Sequence, residues 1–169
     1  MSMVPASGFR DESIYPFTAV LRRDWQRIRE EFLAVQDSLT TYVEPQLFNQ
    51  GWQVYGLWNL PHRESLYGQA ERCPFTTALI EEHIPSHGAA AFSVLNPGTT
   101  IYPHEGHQGP YLRCHLGLEV PPGDCALQVG DASRRWTEGE VLVFDDRNTH
   151  AAWNRTQRRR VVLLVDFRE

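Results

Sequence analysis

From about Thr18 the chain places apolar residues at alternating spacings of four and three. Leu21, Trp25, Ile28, Phe32 and Val35 fall on one face of a 3.6-residue repeat, and Arg22, Arg23, Arg27, Glu30 and Glu31 fall on the other. The spacing predicts an amphipathic helix whose stripe packs against a sheet. Residues 51–58 are aromatic and β-branched enough for a strand. Pro74 suits the first turn of a helix, so a short second helix is expected over 74–83. From Ala89 onward the texture changes. Short apolar or alternating runs recur at 91–95, 99–102, 111–120, 126–129, 141–144 and 161–167. Turn signals separate them at Asn96-Pro97-Gly98, Pro121-Pro122-Gly123-Asp124, Gly130-Asp131 and Glu138-Gly139. Short strands at this density predict a sandwich or jelly roll, not βαβ units. The expected fold is mainly β with flanking helices: first-half helices covering a double-stranded β-helix, a cupin-like barrel, in the second half. Residues 1–13, small and polar without periodicity, read as a flexible leader, and 14–169 as one domain.

Composition adds exclusions. The chain is 41% hydrophobic and 22% charged, ordinary for a protein with a sizeable core. A net charge of −5 lacks the basic footprint of a nucleic-acid binder. The run from Arg155 to Arg160 holds four arginines in six positions and reads as a solvated strand edge, with a separate role for Arg160. Cys73, Cys114 and Cys125 fit neither a zinc pattern nor a disulfide framework, which predicts buried free thiols and a reducing compartment. Met1 to Arg10 has no basic region followed by an apolar run, so no signal peptide is expected. Nothing approaches the ~20 apolar residues of a membrane span. The expectation is a soluble cytoplasmic protein without membrane or nucleic-acid partners.

Seven histidines are present. His62, His83 and His87 read as surface residues. His104 ends a strand run and enters a Gly-rich loop, whereas His150 closes the segment that follows the 141–144 run. Two histidines from different strand ends could meet across a barrel mouth and leave metal positions open, which suits non-heme iron. On spacing alone, satisfied or surface histidines remain the alternative. His107 lies three residues from His104, not the four of a zincin helix, and Gly106 and Gly109 argue against a helix there; exposure is expected.

The neighbouring residues say more. The stretch Tyr102-Pro103-His104-Glu105-Gly106, the segment from Leu112 to Leu118, and Trp136-Thr137-Glu138-Gly139-Glu140 resemble the aspartyl/asparaginyl β-hydroxylase family, as do Phe144-Asp145-Asp146 running on to His150 and the closing Arg160 to Asp166. Upstream the resemblance reaches Tyr15-Pro16-Phe17, Trp52 and Leu57-Trp58, so it covers residues 14–167 with its motifs in order. It implies an iron(II)- and 2-oxoglutarate-dependent hydroxylase that uses O2 as co-substrate. His104 and His150 match the iron ligands, and Gly106 stands where most of the wider superfamily add the carboxylate of a facial triad. Arg160, assisted by Ser93, matches the partner of the distal 2-oxoglutarate carboxylate. A buried carboxylate must be paired, and the planar fork of Arg suits it. Arg113 and His115, alternate residues of one strand and so on one face, match residues lining the co-substrate and substrate pocket, with Arg113 a partner for a substrate carboxylate. Trp52 matches an aromatic wall. Glu105 would point away from His104 on an extended segment, and Asp145 and Asp146 either orient His150 or make the turn before it.

The expected substrate is an aspartyl, asparaginyl or related amino acid hydroxylated at its β-carbon. A free or carrier-protein-tethered amino acid is preferred to a peptidyl one, because Tyr111 stands where the protein-modifying branch has a second basic residue. Two readings compete. An inactive sensor of 2-oxoglutarate or metal is opposed by the intact His104, His150 and Arg160 set. A cupin-like small-molecule binder is opposed by the lack of a third or fourth protein ligand.

Overall fold

The first apolar stripe forms helix α1 (Phe17–Val35), with Leu21, Ile28, Phe32 and Val35 buried and Trp25 half-buried. Helix α2 (Pro74–His83) starts at a proline and has no side-chain cap of its own. Its cap comes from α1. The Glu31 carboxylate accepts the backbone N–H groups of Phe75 (2.9 Å) and Thr76 (2.7 Å) and the Thr76 hydroxyl (2.6 Å). One acidic side chain thus satisfies orphan donors of the next helix and fixes the two helices together.

The computed structural model describes residues 8–59, 64–65, 68–106 and 108–169. Its strands are β1 (Phe9–Arg10), β2 (Thr40–Thr41), β3 (Trp52–Asn59), β4 (Glu64–Ser65), β5 (His87–Leu95) and β6 (Thr99–His104), then β7 (Tyr111–Glu119), β8 (Cys125–Val129), β9 (Ala132–Arg134), β10 (Val141–Phe144), β11 (His150–Asn154) and β12 (Arg160–Arg168). The larger sheet runs β1-β10-β7-β12-β5-β3-β2, with β4 beside β3, and the smaller runs β6-β11-β8-β9. All of these strand pairs are antiparallel. The protein is mainly β with flanking helices on a jelly-roll barrel, as the sequence pattern predicts.

Strand alternation assigns each residue of the larger sheet to one of two cores. Phe92 and Val94 on β5, Cys114, Leu116 and Leu118 on β7, and Val161, Leu163, Val165 and Phe167 on β12 pack with the stripe of α1. The opposite parity, including Leu95, Leu142, Phe144 and Val162, packs with Ile101, Leu127, Val129 and Ala152 of the smaller sheet. Ser93, Arg113, His115, Arg160 and Asp166 share this inward parity, so the barrel interior holds a polar patch inside an apolar frame.

The structure differs from the sequence reading in several places. Of the expected leader, residues 1–7 lie outside the described residues, whereas Phe9–Arg10 pair with Phe144 and Val143 of β10, held by the Phe9 ring against Phe144. His150 opens a strand instead of following one, because β11 is short and rich in alanine and shows no alternation to read. His87 is not a surface residue: it begins β5, is 3% exposed, and its ring lies 4.6 Å from that of Trp58. His83 is half-buried in the last turn of α2, and His62 and His107 lie outside the described residues. Within the basic run, Arg155 pairs with Asp124 and Arg159 with Glu119. The three cysteines are buried and free, and burial pushes the Cys73 thiol up to about 12. No described helix is long and apolar enough to cross a membrane.

Candidate metal and co-substrate site

His104 closes β6 and His150 opens β11, and the two stand directly opposite in the antiparallel register. Their ring centroids are 4.3 Å apart. Both rings are fixed in the same way, with Nδ1 2.8 Å from the Tyr102 carbonyl in one case and 2.9 Å from the Asn148 carbonyl in the other. A carbonyl can only accept, so each Nδ1 carries a proton, and in the neutral ring this tautomer leaves the lone pair on Nε2, the form that binds a metal. Burial also keeps His150 neutral by pushing its pKa down to about 4. Among the described residues no three His, Cys, Asp or Glu side chains are grouped to hold a metal. The two strand ends thus bring together a pair of imidazoles, a donor set of the kind that leaves further positions on a metal open to small ligands.

The bare position at Gly106 has a local cause. A Cβ there would collide with the carboxylate and carbonyl oxygens of Asp146, while the Gly106 N–H donates to the Asp146 carbonyl (2.7 Å). This contact joins the loop leaving His104 to the loop entering His150. Burial raises the Asp146 carboxyl above its ordinary value, and Arg113 only partly offsets this. Asp145 makes the turn, accepting the Arg147 backbone N–H (3.1 Å) and guanidinium (2.8 and 2.7 Å). Glu105 is exposed.

Behind the histidines lies a set of buried donors. Arg160 is 1% exposed and meets no carboxylate among the described residues. One of its amino groups, Nη2, donates to the Ser93 carbonyl (3.0 Å) and hydroxyl (3.1 Å), and its guanidinium stacks 4.5 Å over the Trp136 ring. Burial lowers its pKa to about 10, so it stays charged at neutral pH. Ser93 Oγ also accepts from the Trp52 indole (3.0 Å). With both lone pairs engaged, its hydroxyl proton is left to donate. The Trp136 indole donates to His115 Nδ1 (3.1 Å), which puts the His115 proton on Nε2. Burial, with smaller contributions from Arg160 and Arg113, holds this ring neutral. Arg160 Nε and His115 Nε2 are then two buried N–H donors that meet no partner among the described residues. Buried orphan donors are costly, and a carboxylate is the ligand chemistry that satisfies them. The residues present fit iron(II) at the histidine pair and 2-oxoglutarate at the donors.

Arg113 sits between the two groups. Burial alone would lower it, but Asp166 overrides this and raises it through a bidentate pair (Nε 2.7 Å, Nη2 3.0 Å), with Asp146 3.5 Å away. Only Nη1 is left without a hydrogen bond among the described residues. Asp166 and Trp136 have site roles that the sequence reading did not give them. The available signal was parity: Arg160, Val162, Leu164 and Asp166 share a face of β12. All seven expected residues, Trp52, Ser93, His104, Arg113, His115, His150 and Arg160, line one narrow cavity of about 40 Å³. The cavity shares Trp52, Ser93, Arg113 and Leu164 with a groove of about 510 Å³.

Comparison with known proteins gives consistent matches. Residues 22–169 match the family model described as aspartyl/asparaginyl beta-hydroxylase. The chain is 32% identical over 154 residues to an aspartyl/asparaginyl beta-hydroxylase of Mus musculus, covering 86% of this chain and 20% of that protein. It is 35% identical over 168 residues to the ornithine lipid ester-linked acyl 2-hydroxylase of Rhizobium tropici, covering 93% of this chain and 59% of that protein. The chain thus spans between a fifth and three-fifths of the length of these two curated relatives. Among solved structures, a Pseudomonas putida prolyl-4-hydroxylase superposes with a TM-score of 0.59 at 18% identity, over 89% of this chain and 87% of that one, a likeness of fold.

Proposed function

This chain belongs to the aspartyl/asparaginyl β-hydroxylase family, and on that premise we propose that it is an iron(II)- and 2-oxoglutarate-dependent dioxygenase that hydroxylates an unactivated carbon. The observation that carries the reading is a pair of buried donors that meet no partner among the described residues, Arg160 Nε–H and His115 Nε2–H, in the same cavity as two histidines with free Nε2 lone pairs.

His104 and His150 would hold the metal through Nε2. Iron(II), when bound, supplies the oxygen activation that couples decarboxylation of 2-oxoglutarate to succinate with hydroxylation of a C–H bond. The chain's own work is binding and positioning. Arg160, His115 and Ser93 offer converging donors to the co-substrate's distal carboxylate, which Arg can meet with a charge-assisted bond. Trp136 fixes the His115 tautomer and, with Trp52, covers the donors from water. Asp166 locks the Arg113 fork and leaves Nη1 as the donor able to meet a polar group of the substrate. Two rigid strand ends hold the metal ligands, and the Gly106–Asp146 contact keeps those ends together.

The amino-acid substrate suggested by the resemblance would need Arg113 for a carboxylate, and Asp166 and Asp146 leave that guanidinium only Nη1 for it. The two curated relatives are named for aspartyl/asparaginyl residues and for a lipid acyl chain, so membership leaves the substrate open. The test is succinate formation from 2-oxoglutarate under air. Slow uncoupled turnover is expected that requires added iron(II) and is absent from His150→Ala. Succinate formation that is unaffected by removing iron(II), or by the His150 substitution, would contradict the reading.

A further inference from the structure

We propose that Trp52, Tyr42 and Glu44 form an exit for oxidising equivalents, along which oxidation begun in the histidine cavity without a substrate C–H bond leaves before it damages the site. The source of the oxidant rests on the hydroxylase reading; the competence of the pair to pass an electron does not.

The pairing starts in the strands. β2 meets β3 through Thr40 with Val54 and Thr41 with Gln53. Tyr42 therefore comes to lie opposite Trp52, and its N–H donates to the Trp52 carbonyl (3.0 Å). Directly opposed residues put their side chains on one face, and here the rings stack with centroids 3.8 Å apart and planes 21° from parallel. Aromatic pairs more often sit offset or edge-on. Among the described residues the next closest pair of Phe, Tyr or Trp rings, Phe17 with Phe167, is 4.8 Å apart at 75°. Phe48 packs edge-on against both stacked rings. One end of the pair faces the chemistry: Trp52 lines the same narrow cavity as His104 and His150, with its indole N–H fixed on Ser93. The other end faces water. Tyr42 and Glu44 line the 510 Å³ groove, Tyr42 half-buried and Glu44 exposed, and the phenol donates to the Glu44 carboxylate (3.4 Å).

These surroundings suit the transfer of one electron with one proton. Burial, and then Glu44, raise the Tyr42 phenol above its ordinary value, so it keeps its proton at neutral pH. Such a phenol gives up an electron readily only where a base takes the proton, and Glu44 is that base. Trp136, the other indole beside the buried donors, lacks this arrangement. The Arg160 guanidinium lies 4.5 Å over its ring, and a cation there opposes loss of an electron. Its ring neighbour among the described residues is His115, not a phenol.

Decarboxylation of 2-oxoglutarate that meets no C–H bond leaves one oxygen atom of O2 and two oxidising equivalents unspent. For each equivalent Trp52 gives up one electron. Tyr42 replaces it and passes its phenolic proton to Glu44, which releases it to water. The phenoxyl radical then takes one hydrogen atom from a small reductant at the groove, ascorbate or a thiol. Two passes, with two protons from solvent, turn the unspent oxygen into water.

The test has two arms. In metal-free protein, azide radicals made by pulse radiolysis oxidise indoles, and conversion of indole radical to phenoxyl radical is followed optically. Conversion independent of protein concentration is expected, falling severalfold in Tyr42→Phe and Trp52→Phe but not in Tyr102→Phe, an exposed phenol outside the stack. Equal conversion in all four proteins would overturn the proposal. In the second arm iron(II), 2-oxoglutarate and air are supplied without a substrate, and peptides are mapped by mass spectrometry beside succinate. Tyr42→Phe is expected to start at the wild-type rate, to stop after severalfold fewer turnovers, and to carry added oxygen on Trp52. Glu44→Gln, which keeps the size but removes the base, should fall between them. Equal lifetimes, or Trp52 oxidised alike in wild type and Tyr42→Phe, would overturn the exit whatever the first arm shows. No succinate from the wild type would instead remove the hydroxylase reading and with it the oxidant, while conversion lost in Tyr42→Phe would keep the electron path.

Discussion

Arg160 keeps a charge inside the barrel that no carboxylate among the described residues meets, and burial has already lowered its pKa to about 10. A buried charge without a counter-charge is a standing cost to the fold, retained where a ligand supplies the missing partner. Arg160→Met is therefore expected to weaken 2-oxoglutarate binding by about a hundredfold or more while leaving the melting temperature unchanged or higher. Calorimetry beside thermal unfolding reads both. Loss of stability together with affinity would instead make Arg160 a structural prop. The same reasoning applies one bond further out. Trp136→Phe removes the indole donor that fixes the His115 tautomer, and should weaken the co-substrate by about tenfold, the worth of one hydrogen bond to a positioned group.

Among the elements, the contact between α1 and α2 depends on a single carboxylate. Glu31→Gln keeps the shape but loses the charge facing the first turn of α2, and should cost about 1–2 kcal/mol in urea unfolding with co-substrate affinity unchanged. A silent substitution would show that Pro74 and apolar packing suffice to set the helix. The elements themselves were largely legible. The α1 stripe read directly from periodicity because it has one buried face, and the 74–83 helix from its first-turn proline. Strands β5, β7 and β12 read from apolar runs bounded by turn signals, since both faces of these strands are largely buried. The short pieces did not. Phe9–Arg10 and Ala132–Arg134 are too brief to alternate, and the alanines of β11 hid the strand that His150 opens. Within the site, the histidines and Arg160 were found through motif resemblance and not through spacing. The Arg113–Asp166 pair spans 53 positions and becomes visible only when β7 and β12 are set side by side.

Across the molecule, the interior histidines couple the site to stability. An unfolded histidine titrates near 6.5, whereas burial sets His150 at about 4 and His115 well below its ordinary value. As pH falls from about 6.5 toward 4, the unfolded chain binds protons that the folded chain refuses, so stability falls with pH. For His150 alone the loss is on the order of 3 kcal/mol by the bottom of that window. Asp146, raised by burial, works in the opposite direction, since its folded form takes up a proton before the unfolded chain does. The urea midpoint of metal-free protein should drop between pH 6.5 and 4, with a shallower slope in His150→Gln. An equal slope in that variant would place the pH dependence elsewhere. The proposed function rests on one cavity lined by the histidine pair and by the buried donors of Arg160 and His115. The direct measurement is an anaerobic titration of the metal-free protein with iron(II) and then 2-oxoglutarate, following the weak visible charge-transfer band of their chelate. The expected result is a band that saturates with one equivalent of iron, vanishes in His104→Ala, and needs far more 2-oxoglutarate in Arg160→Met. No band at millimolar co-substrate, or one that is indifferent to both substitutions, would contradict the assignment of this cavity as the site of an iron(II)- and 2-oxoglutarate-dependent hydroxylase.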